Sequence, residues 1–148
     1  MKRYFGSLLL RVVRSGVVLR KNEHQIVASM VAELPDHLRG TVESQFNEYN
    51  LVQREADGRT LNFYKMGFMS AKPRQPQNAL HGTKAAAPLM RVSVSTPGDT
   101  EPLHATLNAV NGRVFCVSFS KVVPESNLGQ AISITKVTHA WHSNFPTR

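Results

Sequence analysis

The chain has 148 residues, of which 41% are hydrophobic and 19% charged, and these values are typical of one globular domain with a packed core. Apolar runs such as Leu8–Leu10 are far too short to cross a bilayer, which excludes a transmembrane segment. Cys116 is the only cysteine, so internal disulfides and multi-cysteine metal sites are excluded, and we expect an intracellular, reducing compartment such as the cytoplasm.

The net charge of +8 is unevenly distributed along the chain. Residues 1–22 hold six Lys or Arg and no acid, and residues 23–57 reverse the sign with seven acids against two bases. Residues 58–98 hold six more bases and no acid, while residues 99–148 carry a net charge of only +1. Two basic blocks that flank an acidic one indicate an acidic macromolecular partner, unless the blocks neutralise each other within the fold.

The N-terminal segment, residues 1–21, is basic and amphipathic. Its apolar residues recur with helical spacing, which predicts a helix over residues 2–14, although the valine-rich stretch "RVVRSGVVL" also suits a strand. An arginine-rich, acid-free start is also typical of an organelle transit peptide, and that alternative implies an organelle matrix. The basic residues in this predicted helix are Lys2, Arg3, Arg11 and Arg14.

Two further helices are predicted before residue 51. The first is expected to begin at Asn22 as its cap, with Gln25 as the capping-box partner, and to end at Pro35. The second is expected to begin with Asp36 as its cap and to run towards Asn50. Apolar residues recur every three to four positions in both helices, and they form the predicted buried faces: Ile26, Val27, Met30, Val31, Leu34, Leu38, Val42, Phe46 and Tyr49.

From residue 51 the apolar period changes to two, which predicts strands. Asp57-Gly58 is expected to form a two-residue hairpin turn that places Val52, Leu61 and Phe63 on one buried face. Residues 67–88 are rich in glycine and proline and are predicted to be a long surface loop. Strands are then predicted over residues 89–96, in a second hairpin around Asn111-Gly112, and over residues 131–141.

The strand in "NGRVFCVSFS" raises the question of a base-stacking surface. Alternation predicts Phe115, Val117 and Phe119 on one face, with Val114 and Cys116 on the other. In an RNA-recognition motif the aromatic residues follow a Lys/Arg-Gly pair, whereas asparagine precedes the glycine here. We therefore expect this row to be core, in a central strand covered by helices on one side and by loop on the other.

No catalytic or metal-binding motif is found in the sequence. His139 and His142 would point to opposite faces of a strand, and His24 and His37 lack an HExxH spacing. Cys116 lies in a predicted strand among apolar residues, where a thiol is usually unreactive. A serine-nucleophile elbow and phosphate-binding glycine loops are absent from the sequence. We expect neither an enzyme nor a cofactor or metal site.

These observations predict a single α+β domain over residues 1–148, with N-terminal helices packed on an antiparallel sheet of about five strands. The expected function is a non-enzymatic binding module that docks an acidic macromolecule, with RNA as the first candidate. The alternative is a protein-binding inhibitor or adaptor, such as a bacterial immunity-type protein that neutralises a toxin. Nine basic residues of the N-terminal and 65–91 segments are the predicted partner-binding residues: Lys2, Arg3, Arg11, Arg14, Lys65, Lys72, Arg74, Lys84 and Arg91.

Overall fold

The computed structural model describes residues 19–67, 70–80, 86–95, 98–124 and 133–139. Within these residues, two helices, α1 (Lys21–Ala32) and α2 (Asp36–Glu48), precede seven strands. The strands are β1 (Leu51–Arg54), β2 (Thr60–Gly67), β3 (Ser70–Arg74), β4 (Ala87–Ser95), β5 (Leu103–Val110), β6 (Arg113–Phe119) and β7 (Ser133–His139). They form one antiparallel sheet in the order β1-β2-β6-β5-β4-β7, and β3 pairs with the end of β2. The predicted α+β class is confirmed, with two strands more than expected.

The helices pack on one face of the sheet through the side chains that their periodicity predicted. Ile26, Met30 and Leu34 are fully buried, as are Val92, Leu103 and Leu107 from the strands. Helix α1 contacts β4 and helix α2 contacts β6, so the core lies between the helix layer and the middle of the sheet. None of the described helices is long and apolar enough to cross a membrane.

The start of α1 differs from the prediction by its capping residue. The backbone N–H of Arg20 donates to the Glu23 carboxylate at 2.8 Å, so Arg20 rather than Asn22 is the cap and Glu23 rather than Gln25 is the capping-box acid. The Asn22 side chain is buried and donates instead to the carbonyl of Pro124 at 2.8 Å. Helix α1 ends at Ala32, before Pro35, and Pro35 rather than Asp36 precedes the first turn of α2.

The two hairpins confirm the predicted pairing, and one of them confirms its turn. Asn111 and Gly112 have φ angles of 51° and 75°, as the predicted two-residue turn requires. The first connection is longer than predicted, because the Glu55 N–H donates to Thr60 and residues 56–59 form the loop. Its register still matches Val52 to Phe63 on the buried face.

The predicted row of Phe115, Val117 and Phe119 is wrong. Val117 and Phe119 are buried against the helices, but Phe115 is 41% exposed on the opposite face. The register pairs Cys116 with Asn108 and Val114 with the next residue, Ala109, so Phe115 is the extra residue of a β-bulge. Because a bulge interrupts alternation, Val114 points inward while Phe115 and Cys116 both lie on the outer side.

The predicted loop over residues 67–88 contains ordered structure. Strand β3 pairs with β2, and Pro73 is tolerated there because the strand is short and lies off the main path of the sheet. The chain then returns to the core, where Pro76 and Leu80 are buried and the Leu80 N–H donates to the Gly112 carbonyl at 2.7 Å. The predicted helix over residues 2–14 and the middle of the loop, residues 81–85, lie outside the described residues.

Candidate functional site

The sheet face opposite the two helices is not covered by any element in the described part of the chain. We call it the open face, and it carries polar and aromatic side chains from four strands. Arg91 and His104 are exposed there, and the hydroxyl and amide groups of Thr106, Asn108 and Ser118 lie partly exposed between them. An antiparallel sheet that leaves one face uncovered can present that face to a partner.

Acidic residues are absent from the seven strands that the structure describes, which carry only basic charge. The strands hold seven Lys or Arg, at positions 54, 65, 72, 74, 91, 113 and 136. The acids of the described residues lie on the helices and their ends or in two connections, β1–β2 and β4–β5. Those two connections lie at the same end of the sheet, where the Phe119 N–H donates to Arg59 and Lys121 pairs with Asp99 at 2.8 Å. The sheet therefore has an acidic end, from which the Glu55 carboxylate reaches β2 and accepts from the Asn62 amide at 3.0 Å, while the described strands themselves hold no Asp or Glu.

Two of the seven strand cations are neutralised by acids of the helix layer. Arg54 lies on the helix-facing side and donates from Nε to the buried carboxylate of Glu23 at 2.9 Å. Lys65 pairs with Glu48 of α2, and this hydrogen bond, together with the Gln77 N–H, holds the pKa of the Glu48 carboxyl below its usual value. These pairs are structural links between helices and sheet, whereas Arg91 is exposed on the open face.

The structure does not bring all the predicted partner-binding residues into one patch. The register sets Arg74 opposite Lys65, and Lys72 lies on the same short strand, β3. Arg91 lies on β4, with β6 and β5 between it and β2, and its Nε donates to the Thr106 hydroxyl at 3.3 Å. The other predicted residues, Lys2, Arg3, Arg11, Arg14 and Lys84, lie outside the described residues.

An aromatic pocket opens between β2 and β6. Pairing of these strands stops at Asn62 and Cys116, and beyond this point the strands bound a cavity of about 340 Å³. Four aromatic rings line it, together with Pro76 and Arg113. They are Tyr49, Phe63, Tyr64 and Phe115. Tyr64 and Phe115 meet edge to face with ring centroids 6.2 Å apart.

Two polar groups in the pocket are fixed by backbone carbonyls. Arg113 donates from Nε to the Pro76 carbonyl at 2.8 Å, which places its guanidinium between β6 and the 75–80 segment. The Tyr49 hydroxyl donates to the Val114 carbonyl, and burial raises the pKa of this phenol well above its ordinary value. Tyr49 therefore remains a neutral hydrogen-bond donor throughout the physiological range.

A serine and a histidine meet on the open face, but their surroundings do not suit nucleophilic catalysis. The Ser93 hydroxyl lies 2.9 Å from Nδ1 of His104 on adjacent strands. The flanking backbone N–H groups serve the pairing of β4 with β5 and β7, and so are not free to stabilise an oxyanion. Burial raises the pKa of the Cys116 thiol, so that side chain is a weak nucleophile near neutral pH. Among the described residues, no group of three His, Cys, Asp or Glu is placed to hold a metal ion.

Sequence reasoning missed Phe115, Tyr64 and Arg113 as members of one site. The only signal in the sequence is that "VFCV" breaks strict alternation, with four apolar residues in succession before the pattern resumes. Comparison with protein-family models, curated proteins and solved structures finds no match to this chain.

Proposed function

We propose that this protein is a non-enzymatic binding module that docks single-stranded RNA on the open face of its sheet. The observation that carries the proposal is the absence of Asp and Glu from the described strands, which hold seven Lys or Arg, two of them paired with acids of the helix layer. A phosphate backbone is repelled by carboxylates and attracted by Lys and Arg, so the sheet is the side to which it would bind.

The layout of the helix layer supports the same orientation. Glu33, Asp36, Glu43 and Glu48 lie on or beside the helices, on the far side of the sheet from the open face. A polyanion is thereby directed away from the helices and onto the strands. The hydroxyl, amide and imidazole groups on β4, β5 and β6 can donate hydrogen bonds to phosphate and sugar oxygens without reading the base sequence.

The alternative, a protein-binding inhibitor or adaptor, is favoured by a different observation. Phe115 and Val110 are exposed beside the aromatic pocket, at 41% and 37%. An exposed aromatic side chain next to an apolar cavity is the kind of anchor that dominates protein interfaces. Salt separates the two functions, because phosphate contacts release counterions whereas an apolar anchor does not.

The test is the binding of a labelled, mixed-sequence single-stranded RNA, followed by fluorescence anisotropy as the salt concentration is raised. The logarithm of the affinity should fall linearly with the logarithm of the salt concentration, and Arg91→Gln should reduce the magnitude of that slope by about 0.7, the value for one phosphate contact. Arg59→Gln is the matched control, because Arg59 is exposed at the acidic end of the sheet and should leave the slope unchanged.

Two results would count against RNA. Absence of binding even at low salt rules out the proposal, and equal effects of Arg91→Gln and Arg59→Gln rule out the open face as the site. Recovery of one stoichiometric protein partner in a pulldown, with an affinity that depends little on salt, would favour the inhibitor or adaptor instead.

A further inference from the structure

The aromatic pocket between β2 and β6 has a composition that suits one planar ring. Tyr64 and Phe115 form its walls, and Tyr49 and Phe63 lie deeper, with ring centroids 5.9 Å apart and a tilt of 33°. A volume of about 340 Å³ is near the lower limit for small-molecule sites, which favours a single ring system over a larger ligand. The mixture of ring faces and edges offers stacking and edge-to-face contacts on several sides of such a ring.

The charge at the rim points to an anionic group beside the ring. Arg113 lines the pocket and is fixed by the Pro76 carbonyl, so its guanidinium is already placed before a ligand arrives. Glu48, which also interacts electrostatically with Arg113, forms an ion pair with Lys65 and accepts a hydrogen bond from the Gln77 N–H. A guanidinium beside aromatic rings is suited to a phosphate attached to a base.

We infer that this pocket receives one unstacked base of the single-stranded RNA, with Arg113 contacting the adjacent phosphate. The inference rests on the proposed function and names the subsite for the base within it. A flat stacking platform would need several exposed rings in a row, whereas the bulge exposes Phe115 and turns Val117 and Phe119 into the core. The site therefore holds a single base, and Gln75, which also lines the cavity, has an amide that can both donate to and accept from the base edge.

The experiment compares a labelled single-stranded RNA with the same strand carrying abasic residues throughout, each titrated by anisotropy at low salt. For the wild-type protein, removing the bases should weaken binding about tenfold, since stacking of one base on an aromatic ring has that magnitude. Phe115→Leu retains an apolar side chain but removes the ring, and it should weaken binding of the base-containing strand about tenfold while leaving the abasic strand unaffected. Arg113→Gln should weaken binding of both strands.

Val122→Ala is the matched control, because Val122 is 50% exposed and does not line the pocket, so both strands should bind this variant as they bind the wild type. Thermal unfolding of Phe115→Leu should be unchanged within a few degrees, which separates loss of binding from loss of folding. Equal binding of both strands by wild type and Phe115→Leu overturns the base pocket and leaves the proposed function standing. The base pocket is also overturned if Phe115→Leu loses capture of a protein partner while its RNA binding is unchanged. If neither strand binds the wild-type protein, both the base pocket and the proposed RNA-binding function are overturned.

Discussion

Replacing Gln45 by leucine should reduce the free energy of unfolding by about 3 kcal/mol. The Gln45 side chain is fully buried, and its Nε2 donates to the carbonyls of Asn78 and Gly112 at 2.8 and 3.0 Å. Its Oε1 accepts from the Val114 N–H at 2.8 Å. Leucine has a similar volume, so the cost comes from the groups left without partners. The Gly112 carbonyl keeps its bond from Leu80, whereas the buried Val114 N–H loses its side-chain acceptor. The buried Val114 N–H costs roughly 1–3 kcal/mol, and the part-buried Asn78 carbonyl, which also loses its Gln45 donor, adds about 1 kcal/mol, which together give the stated cost.

The assay is urea denaturation followed by circular dichroism. With a slope of about 1.5 kcal/mol per molar urea, the midpoint should fall by about 2 M. Ser44→Ala is the matched control, because Ser44 precedes Gln45 in α2 and accepts from the Asn78 amide at 2.9 Å in an exposed position. Water can replace that bond, so the control should lose less than about 1 kcal/mol. Equal losses in the two variants would refute the assignment of Gln45 as a buried link between α2 and the second hairpin.

The remaining predictions concern a turn and a buried phenol. Gly112 has φ = +75°, and a Cβ added there would lie 2.2 Å from the Leu80 carbonyl oxygen. Gly112→Ala should therefore reduce the free energy of unfolding by more than about 3 kcal/mol in the same urea assay. Gly98→Ala is the control, because Gly98 also has positive φ but has no atom within 4 Å of its Cβ position, and it should reduce the free energy of unfolding by about 1 kcal/mol. Equal losses in the two variants would contradict a steric role for Leu80. The pKa of Tyr49 in the folded protein is raised above the ordinary value of 10.0. The stabilisation that this shift provides is therefore complete below pH 10 and declines as the pH rises towards the folded pKa. Urea denaturation should show the wild type losing about 1.4 kcal/mol more than Tyr49→Phe between pH 9 and pH 11, and parallel profiles would contradict this.

The helices and hairpins could be predicted because their signals are local. Apolar residues at helical spacing marked the buried faces of α1 and α2, and the Asn111-Gly112 pair marked a turn that needs positive φ at both positions. The cap of α1 could not be assigned correctly in the same way. Which residue caps α1 depends on the hydrogen bond from the Asn22 side chain to the carbonyl of Pro124, a residue 102 positions away along the chain. A local rule therefore identified the helix but not its first residue.

The candidate site was predictable in its charge but not in its geometry. The acid-free block at residues 58–98 is visible in the sequence, and most of the strand cations come from it. The pairing of Lys65 with Glu48 was not visible, because it joins an acidic segment to a basic one only after α2 packs beside β2. The bulge at Phe115 was not predicted either, because alternation alone makes Phe115, Val117 and Phe119 equivalent, and the run "VFCV" does not show which residue is the extra one.

The same bulge explains why the aromatic pocket has a stable wall. β2 no longer pairs with β6 beyond Cys116, so the edge of β6 lacks a neighbouring strand at Val114. The chain supplies side chains there instead: Gln45 accepts from the Val114 N–H, and Tyr49 donates to the Val114 carbonyl. Both backbone groups of Val114 thus have partners although the strands have separated, as buried peptide groups require. These two side chains allow β2 and β6 to separate at this point without leaving backbone hydrogen-bonding groups unpaired. Phe115 is exposed beside Tyr64 and Arg113 where the strands separate.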